Sequence, residues 1–92
     1  MDIAWLEVFR EVAARGSLTA AGRALGYTQP AVSRQVAALE KATGARLFDR
    51  LPRGMRLTEE GRFLLAHAEV VLERMRAAAT NRRTAVSSSS SA

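Results

Sequence analysis

Apolar residues recur at helical spacing over residues 2–15, where Ile3, Leu6, Phe9, Val12 and Ala13 alternate with Glu7, Arg10 and Glu11. Asp2 is placed to cap this helix, and Gly16 can take the left-handed turn that stops it. Ser17 predicts the cap of a second, short helix over 18–25, with Leu18, Ala21 and Leu25 on one face. Its other positions, Ala20, Gly22 and Ala24, are small enough to let a neighbouring helix come close, and Gly26 ends it. Thr28 predicts a third cap, for a helix over 29–41, with Pro30 in the first turn where its missing N–H removes no helical bond. Val32, Val36 and Leu39 form the inward stripe of that helix, while Gln29, Pro30, Ser33, Arg34 and Ala37 occupy another sector. Gly44 follows and breaks the helix.

The pattern changes over 45–58. Leu47-Phe48 and Met55-Arg56-Leu57 are short extended segments around a turn-rich basic stretch, in which Pro52 and Gly54 favour a tight reversal. A two-stranded ribbon with Arg50 and Arg53 near its tip is the simplest structure. Thr58 then caps a long helix over 59–83, with Glu59 and Glu60 favouring its dipole. At the helical rise it spans ~37 Å, more than so small a domain covers. Leu64, Ala68, Val71, Met75 and Ala78 alternate in steps of four and three, a heptad-like seam that Leu72 widens together with Phe63, Leu65 and Val70. The first turns, around Phe63 and Leu64, are expected on the domain core near Trp5 or Phe9, and His67 is expected packed or half-buried. The later turns, Val71 to Ala78, are expected against the same helix of a second copy. Thus Leu64, Ala68, Val71, Leu72, Met75 and Ala78 are the dimerisation candidates. Residues 84–92, rich in serine, are low in complexity and predicted to be disordered. The organisation expected is a domain over 1–58, a linker or dimerisation helix over 59–83 and a tail over 84–92.

A chain of 92 residues with 48% hydrophobic content suits one small core. It has no cysteine and a single histidine, His67, so disulfide scaffolds, thiol catalysis, cysteine-bound metals and histidine-cluster metal sites are excluded. No cofactor is expected. The start lacks the build of a signal peptide, and no uncharged apolar run approaches the ~18 residues of a membrane span. A cytoplasmic, nucleoid-associated protein without a membrane partner is therefore expected. The net charge is +5, and it is unevenly spread. Residues 28–58 hold Arg34, Lys41, Arg46, Arg50, Arg53 and Arg56 against only Glu40 and Asp49. An excess of this kind suits an acidic polymer, with nucleic acid first.

Two short helices joined by a tight turn at Gly26-Tyr27, a polar sector at the start of the second and a basic ribbon after it form the pattern of a winged helix-turn-helix. Gln29 stands where side chains reach base edges, and a glutamine pairs bidentately with adenine. Arg34 suits guanine O6 and N7 or a phosphate, Ser33 is short enough for an edge or a backbone oxygen, and Pro30 offers an apolar surface to a thymine methyl. Ser17 and Thr28, with the free N–H groups at their helix starts, suit phosphates. Arg50 and Arg53 suit phosphates or a narrow minor groove. Ser17 and Thr28 are helix caps in any case, and Lys41 and Arg46 add general electrostatic support. The alternative is a protein-interaction module, since the long helix is itself an association surface. Nothing in the sequence forms a catalytic constellation: Glu59 and Glu60 are neighbours at a helix start, a dipole role.

At these residues the sequence resembles a family. Gly16-Ser17-Leu18-Thr19-Ala20-Ala21, Thr28-Gln29-Pro30-Ala31-Val32-Ser33-Arg34-Gln35-Val36, Leu39-Glu40, Gly44, Leu47-Phe48-Asp49-Arg50, Arg53 and Leu57-Thr58-Glu59-Glu60-Gly61 are similar to the amino-terminal DNA-binding domain of LysR-type transcriptional regulators, over residues 1 to about 83. The resemblance implies a mainly α winged helix-turn-helix, three helices with a two-stranded wing, followed by a long helix that pairs antiparallel with its mate. It implies a homodimer on double-stranded DNA with an inverted-repeat operator. Gln29, Pro30, Ser33 and Arg34 are then expected in the major groove, Arg53 in the minor groove, and Ser17, Thr28 and Arg50 on phosphates. Gly22 stands where the family usually carries alanine, which predicts a second helix looser by up to ~1 kcal/mol. The family's effector-binding domain, with its small-molecule ligand, does not fit in this chain. DNA binding, and not ligand sensing, is what the resemblance implies here.

Overall fold

Side-chain caps and left-handed glycines divide the first half of the chain into helices at the places the sequence marks. A computed structural model describes residues 2–91, with side chains through Thr80. It orders the chain as α1 (Ile3–Arg15), α2 (Leu18–Leu25), α3 (Gln29–Thr43), β1 (Phe48–Leu51), β2 (Gly54–Leu57) and α4 (Glu59–Ser91). Asp2 Oδ1 accepts from the Ala4 amide at 3.0 Å, Ser17 Oγ from Ala20 at 3.1 Å and Thr28 Oγ1 from Ala31 at 3.3 Å. Each cap satisfies an amide that has no partner inside its helix. Gly16, Gly26 and Gly44 end the three helices in the left-handed conformation.

The core is organised around α1, which packs against α2, α3 and α4. Phe9, Val8, Val12, Val32, Leu39 and Leu47 are the largest fully buried side chains. Val8 lies outside the expected stripe, and Ile3 within that stripe is exposed. Three helices surround α1 and widen its buried face beyond one stripe, while its first turn extends past them. The Phe9 and Phe48 rings meet edge to face, 5.4 Å between centroids, and tie the wing to α1.

The expectation of a loosened α2 at Gly22 is corrected by the packing. A Cβ there would lie 2.6 Å from the Tyr27 carbonyl oxygen and 3.4 Å from Val32 Cγ2. The Tyr27 amide also donates to the Gly22 carbonyl at 2.8 Å. Glycine is what lets the turn fold back over α2 and brings α3 close, so its absent side chain serves the helix-turn-helix angle.

Several family-like strings acquire physical reasons. Glu40 Oε2 accepts from the Leu47 amide at 2.7 Å and the Phe48 amide at 3.4 Å, joining the end of α3 to the base of the wing. Thr58 Oγ1 accepts from Gly61 N at 3.0 Å and donates to the Arg46 carbonyl at 2.5 Å, while Thr58 N donates to Leu47 O at 3.0 Å. Thr58 thus caps α4 and anchors it beside the wing. Gly61 lies in the tightest place, where a Cβ would overlap the Leu47 carbonyl oxygen and crowd Leu57 Cδ2.

α4 continues past the expected stop at residue 83, because no glycine or proline follows Gly61 to interrupt its ladder. The expectation of a disordered tail over 84–92 falls on residues outside those whose side chains are described. Ala68 and Leu72, with 1% and 6% of their surface exposed, pack into the core beside the partly buried Leu64 and Leu65. Phe63, expected on the core, is instead 70% exposed. Its ring lies 4.6 Å from that of His67, which is likewise exposed instead of half-buried. These two positions fall on the side of α4 turned away from α1, one helical turn apart.

Candidate nucleic-acid interface

The wing is an antiparallel pair in which Phe48 faces Leu57, Arg50 faces Met55 and Leu51 faces Gly54. Only Pro52 and Arg53 lie between the last two partners, a two-residue reversal that sets Arg53 at the tip. Side chains alternate across a strand, so Arg50 falls on the same face of the ribbon as Phe48. Phe48 anchors that face in the core, and Arg50 extends it to solvent.

This arrangement brings half of the predicted residues, Ser17, Gln29, Ser33 and Arg50, together. A surface hollow is lined by Ser17, Thr19, Gln29, Arg50 and Met55, so the starts of α2 and α3 and the wing share one face. A second hollow beside it is lined by Ser33, Ala37, Glu40, Arg50 and Met55, which carries the same face along α3. Arg50 belongs to both and joins the cap region to the polar stripe of α3. Thr28, Gln29, Pro30, Arg34 and Arg53 are exposed, while Ser17 and Ser33 are half-buried. Arg53, at the tip, and Thr28, Pro30 and Arg34, at the cap and along α3, line neither hollow. Thr19 and Met55 are additions that the sequence pattern does not single out. Thr19 is marked only by its place in the first turn of α2, and Met55 only by being the cross-strand partner of Arg50.

The electrostatics of the face follow from where its two acidic residues are used. Glu40 turns to the Leu47 and Phe48 amides, and Asp49 faces Arg46 at 3.9 Å. Among the described residues, Arg34, Arg50 and Arg53 take part in no ion pair. Three permanent cations thus stand free on the surface that also carries the caps of α2 and α3. Guanidinium groups in this state suit phosphate oxygens and guanine edges.

The dimerisation candidates divide. Ala68 and Leu72 are spent on the chain's own core and Leu64 is partly so, whereas Val71, Met75 and Ala78 remain exposed. Phe63 and Val70 add exposed apolar surface to the same helix. No helix among the described residues is long and apolar enough to cross a membrane.

Residues 3–62 match the model of the bacterial regulatory helix-turn-helix proteins of the LysR family. The chain belongs to the LysR family. It is 54% identical over 72 residues to an uncharacterized HTH-type transcriptional regulator of Azotobacter vinelandii, covering 78% of this chain and 50% of that protein. It is 42% identical over 76 residues to the SDS degradation transcriptional activation protein of a Pseudomonas strain, covering 83% of this chain and 25% of that protein. The chain therefore spans about half and about a quarter of these two relatives. The crystal structure of the CbnR DNA-binding domain in complex with DNA superposes with a TM-score of 0.90 at 35% identity, covering 94% of this chain and 99% of that one. The BenM DNA-binding domain on its benA site 1 DNA gives 0.84 at 31% identity, covering 92% and 97%. The relatives are bacterial transcriptional regulators and not enzymes. The four helices and two-stranded wing described above are the winged helix-turn-helix DNA-binding domain of LysR-type regulators.

Proposed function

We propose that this domain binds double-stranded DNA sequence-specifically as a homodimer, with α3 in the major groove and the wing in the minor groove. One observation carries the reading. Ser17 at the cap of α2, Gln29 and Ser33 of α3 and Arg50 of the wing line adjoining hollows of a single face, on which the Glu40 carboxylate is engaged by the Leu47 and Phe48 amides. Gln29, Pro30, Ser33 and Arg34 read base edges, Arg53 enters the minor groove, and Ser17, Thr28 and Arg50 hold phosphates. Similarity to two DNA-binding domains crystallised on DNA supports this assignment.

The homodimer rests on α4. Its inner stripe is satisfied by the chain's own core, so a second copy meets the outer residues Val71, Met75 and Ala78, with Phe63 and Val70 beside them. Burying that surface is the driving force. A two-fold pair of recognition helices demands an inverted repeat with half-site centres about one turn, ~10 bp, apart. A domain occupying 1–58 and a dimerisation helix beginning at 59 remain the division of labour we assign.

Selection of bound duplexes from a random pool tests the reading directly, with affinities then measured against salt concentration. The expected result is a dyad of that spacing and affinity that falls steeply as salt rises. Binding insensitive to salt, or selected sequences without a dyad, overturns it. A protein-interaction module shows no salt-dependent DNA binding at all.

A further inference from the structure

The wing touches the rest of the domain at a place its own ladder does not require. Arg50 and Met55 are direct partners in the ribbon, yet the Met55 amide donates outside it, to the carbonyl of Gly16 at 2.9 Å. Gly16 ends α1 and immediately precedes Ser17, the cap of α2. At Gly54 the two segments are closer still, for a Cβ there would lie 2.5 Å from the same Gly16 oxygen. Gly54 also has φ +134, a conformation that L side chains rarely adopt. The turn explains why this residue carries it. Pro52 is confined to negative φ, and among the described residues no non-glycine residue has positive φ, so the unusual step of the hairpin falls to Gly54.

We infer that Gly16, Gly54 and the Met55 amide form a backbone clamp that fixes the wing against the start of α2, and so positions Arg50 and Arg53 relative to the recognition helix. The inference rests on the DNA-binding reading and deepens it: Gly54 is a positioning residue, acting on DNA only through the arginines beside it. The two contact sets of a winged domain lie on different grooves. They reinforce one another only if the angle between them is set before DNA arrives. A backbone-to-backbone contact sets that angle without a side-chain rotamer to freeze.

A double-mutant cycle separates positioning from mere structural damage. In the unsubstituted domain, Arg53→Ala weakens binding to a selected duplex about tenfold. In a Gly54→Ala background, which itself loses about tenfold, the further loss from Arg53→Ala falls to about twofold or less, because the arginine is already out of place. Gly44→Ala is the control. Its φ of +68 strains the fold in the same way, but it lies outside the clamp and its Cβ meets nothing within 4 Å, so there the Arg53→Ala loss keeps its full size. Independent, multiplying losses for Gly54→Ala and Arg53→Ala overturn the clamp and leave the DNA reading standing. Absence of salt-dependent binding by the unsubstituted chain overturns the DNA reading instead. Hydrogen exchange at the Met55 amide covers the case in which Gly54→Ala does not fold. Protection equal to that of the ribbon's ladder amides is expected, and exchange at the rate of an exposed amide overturns the clamp.

Discussion

α3 and α4 lie against the same central helix system by apolar stripes, yet the faces they leave outside have opposite chemistry. α3 buries Val32, Val36 and Leu39 and shows Gln29, Pro30 and Arg34. α4 buries Ala68 and Leu72 and shows Phe63, Val70, Val71 and Met75. A polar outer face with a free guanidinium gains from hydrogen-bonding a hydrated, anionic surface, and its contacts are directional. An apolar outer face gains from losing water, and its contacts are steric and additive in area. On the proposed reading, one small domain divides recognition of the nucleic acid and recognition of its own copy between two helices, with α1 as the common support. The general lesson is that the buried stripe fixes where a helix lies, and the remaining residues fix what it meets.

Neighbouring substitutions on α4 sharpen this contrast most. Leu72→Ala removes a side chain that is 6% exposed in the core, and is expected to cost ~2–5 kcal/mol of protomer stability in denaturant unfolding at concentrations where the chain is monomeric. Val71→Asp, one position along, puts a carboxylate twice into the proposed seam. It is expected to raise the dimer dissociation constant ~100-fold in sedimentation equilibrium, leaving protomer unfolding nearly unchanged. If Leu72→Ala spares the fold, or Val71→Asp spares the dimer, the division between inner and outer faces is wrong.

How much of this was written in the sequence depends on the range of the interactions. Helix ends were legible because they are local: Asp2, Ser17, Thr28 and Thr58 cap amides two or three residues ahead, and Gly16, Gly26 and Gly44 close the helices they follow. The polar stripe of α3 was legible for the same reason, since helical periodicity alone separates Gln29, Ser33 and Arg34 from Val32, Val36 and Leu39. The partition of α4 was not. Its heptad-like seam mixes Ala68, which packs inside, with Val71 and Met75, which do not, and only the position of α1 decides between them. The close approach at Gly22 was legible from its size, but the expected loosening of α2 left out the carbonyl of Tyr27 across the turn, a contact that no helix propensity encodes. The meeting of the wing with Gly16 joins residues far apart in the chain and leaves no periodic mark, although both partners are conspicuous as glycines.

On the polar side, Arg34→Ala tests whether the outer face of α3 reads bases. Arg34 is exposed and forms no ion pair among the described residues, so its removal leaves folding stability within about 0.5 kcal/mol. Binding to a selected duplex is expected to fall by ~1–3 kcal/mol, while binding to random duplexes falls less, so that base preference relaxes at the contacted position. Equal losses on both kinds of DNA reassign Arg34 to the phosphate backbone.

Arg50→Ala carries the smallest expected effect and asks a different question of the same face. The residue joins the cap hollow to the α3 hollow, pairs across the ribbon with Met55 and has no acidic partner among the described residues. A cation in that place neutralises a phosphate whatever the sequence beneath it. Its loss is expected to weaken selected and random duplexes alike by ~1 kcal/mol and to lower the slope of log affinity against log salt by about one. The slope is the discriminating quantity. A residue that only props up the wing reduces affinity without changing the number of counterions released, so an unchanged slope assigns Arg50 to support and leaves the phosphate contacts to the caps of α2 and α3.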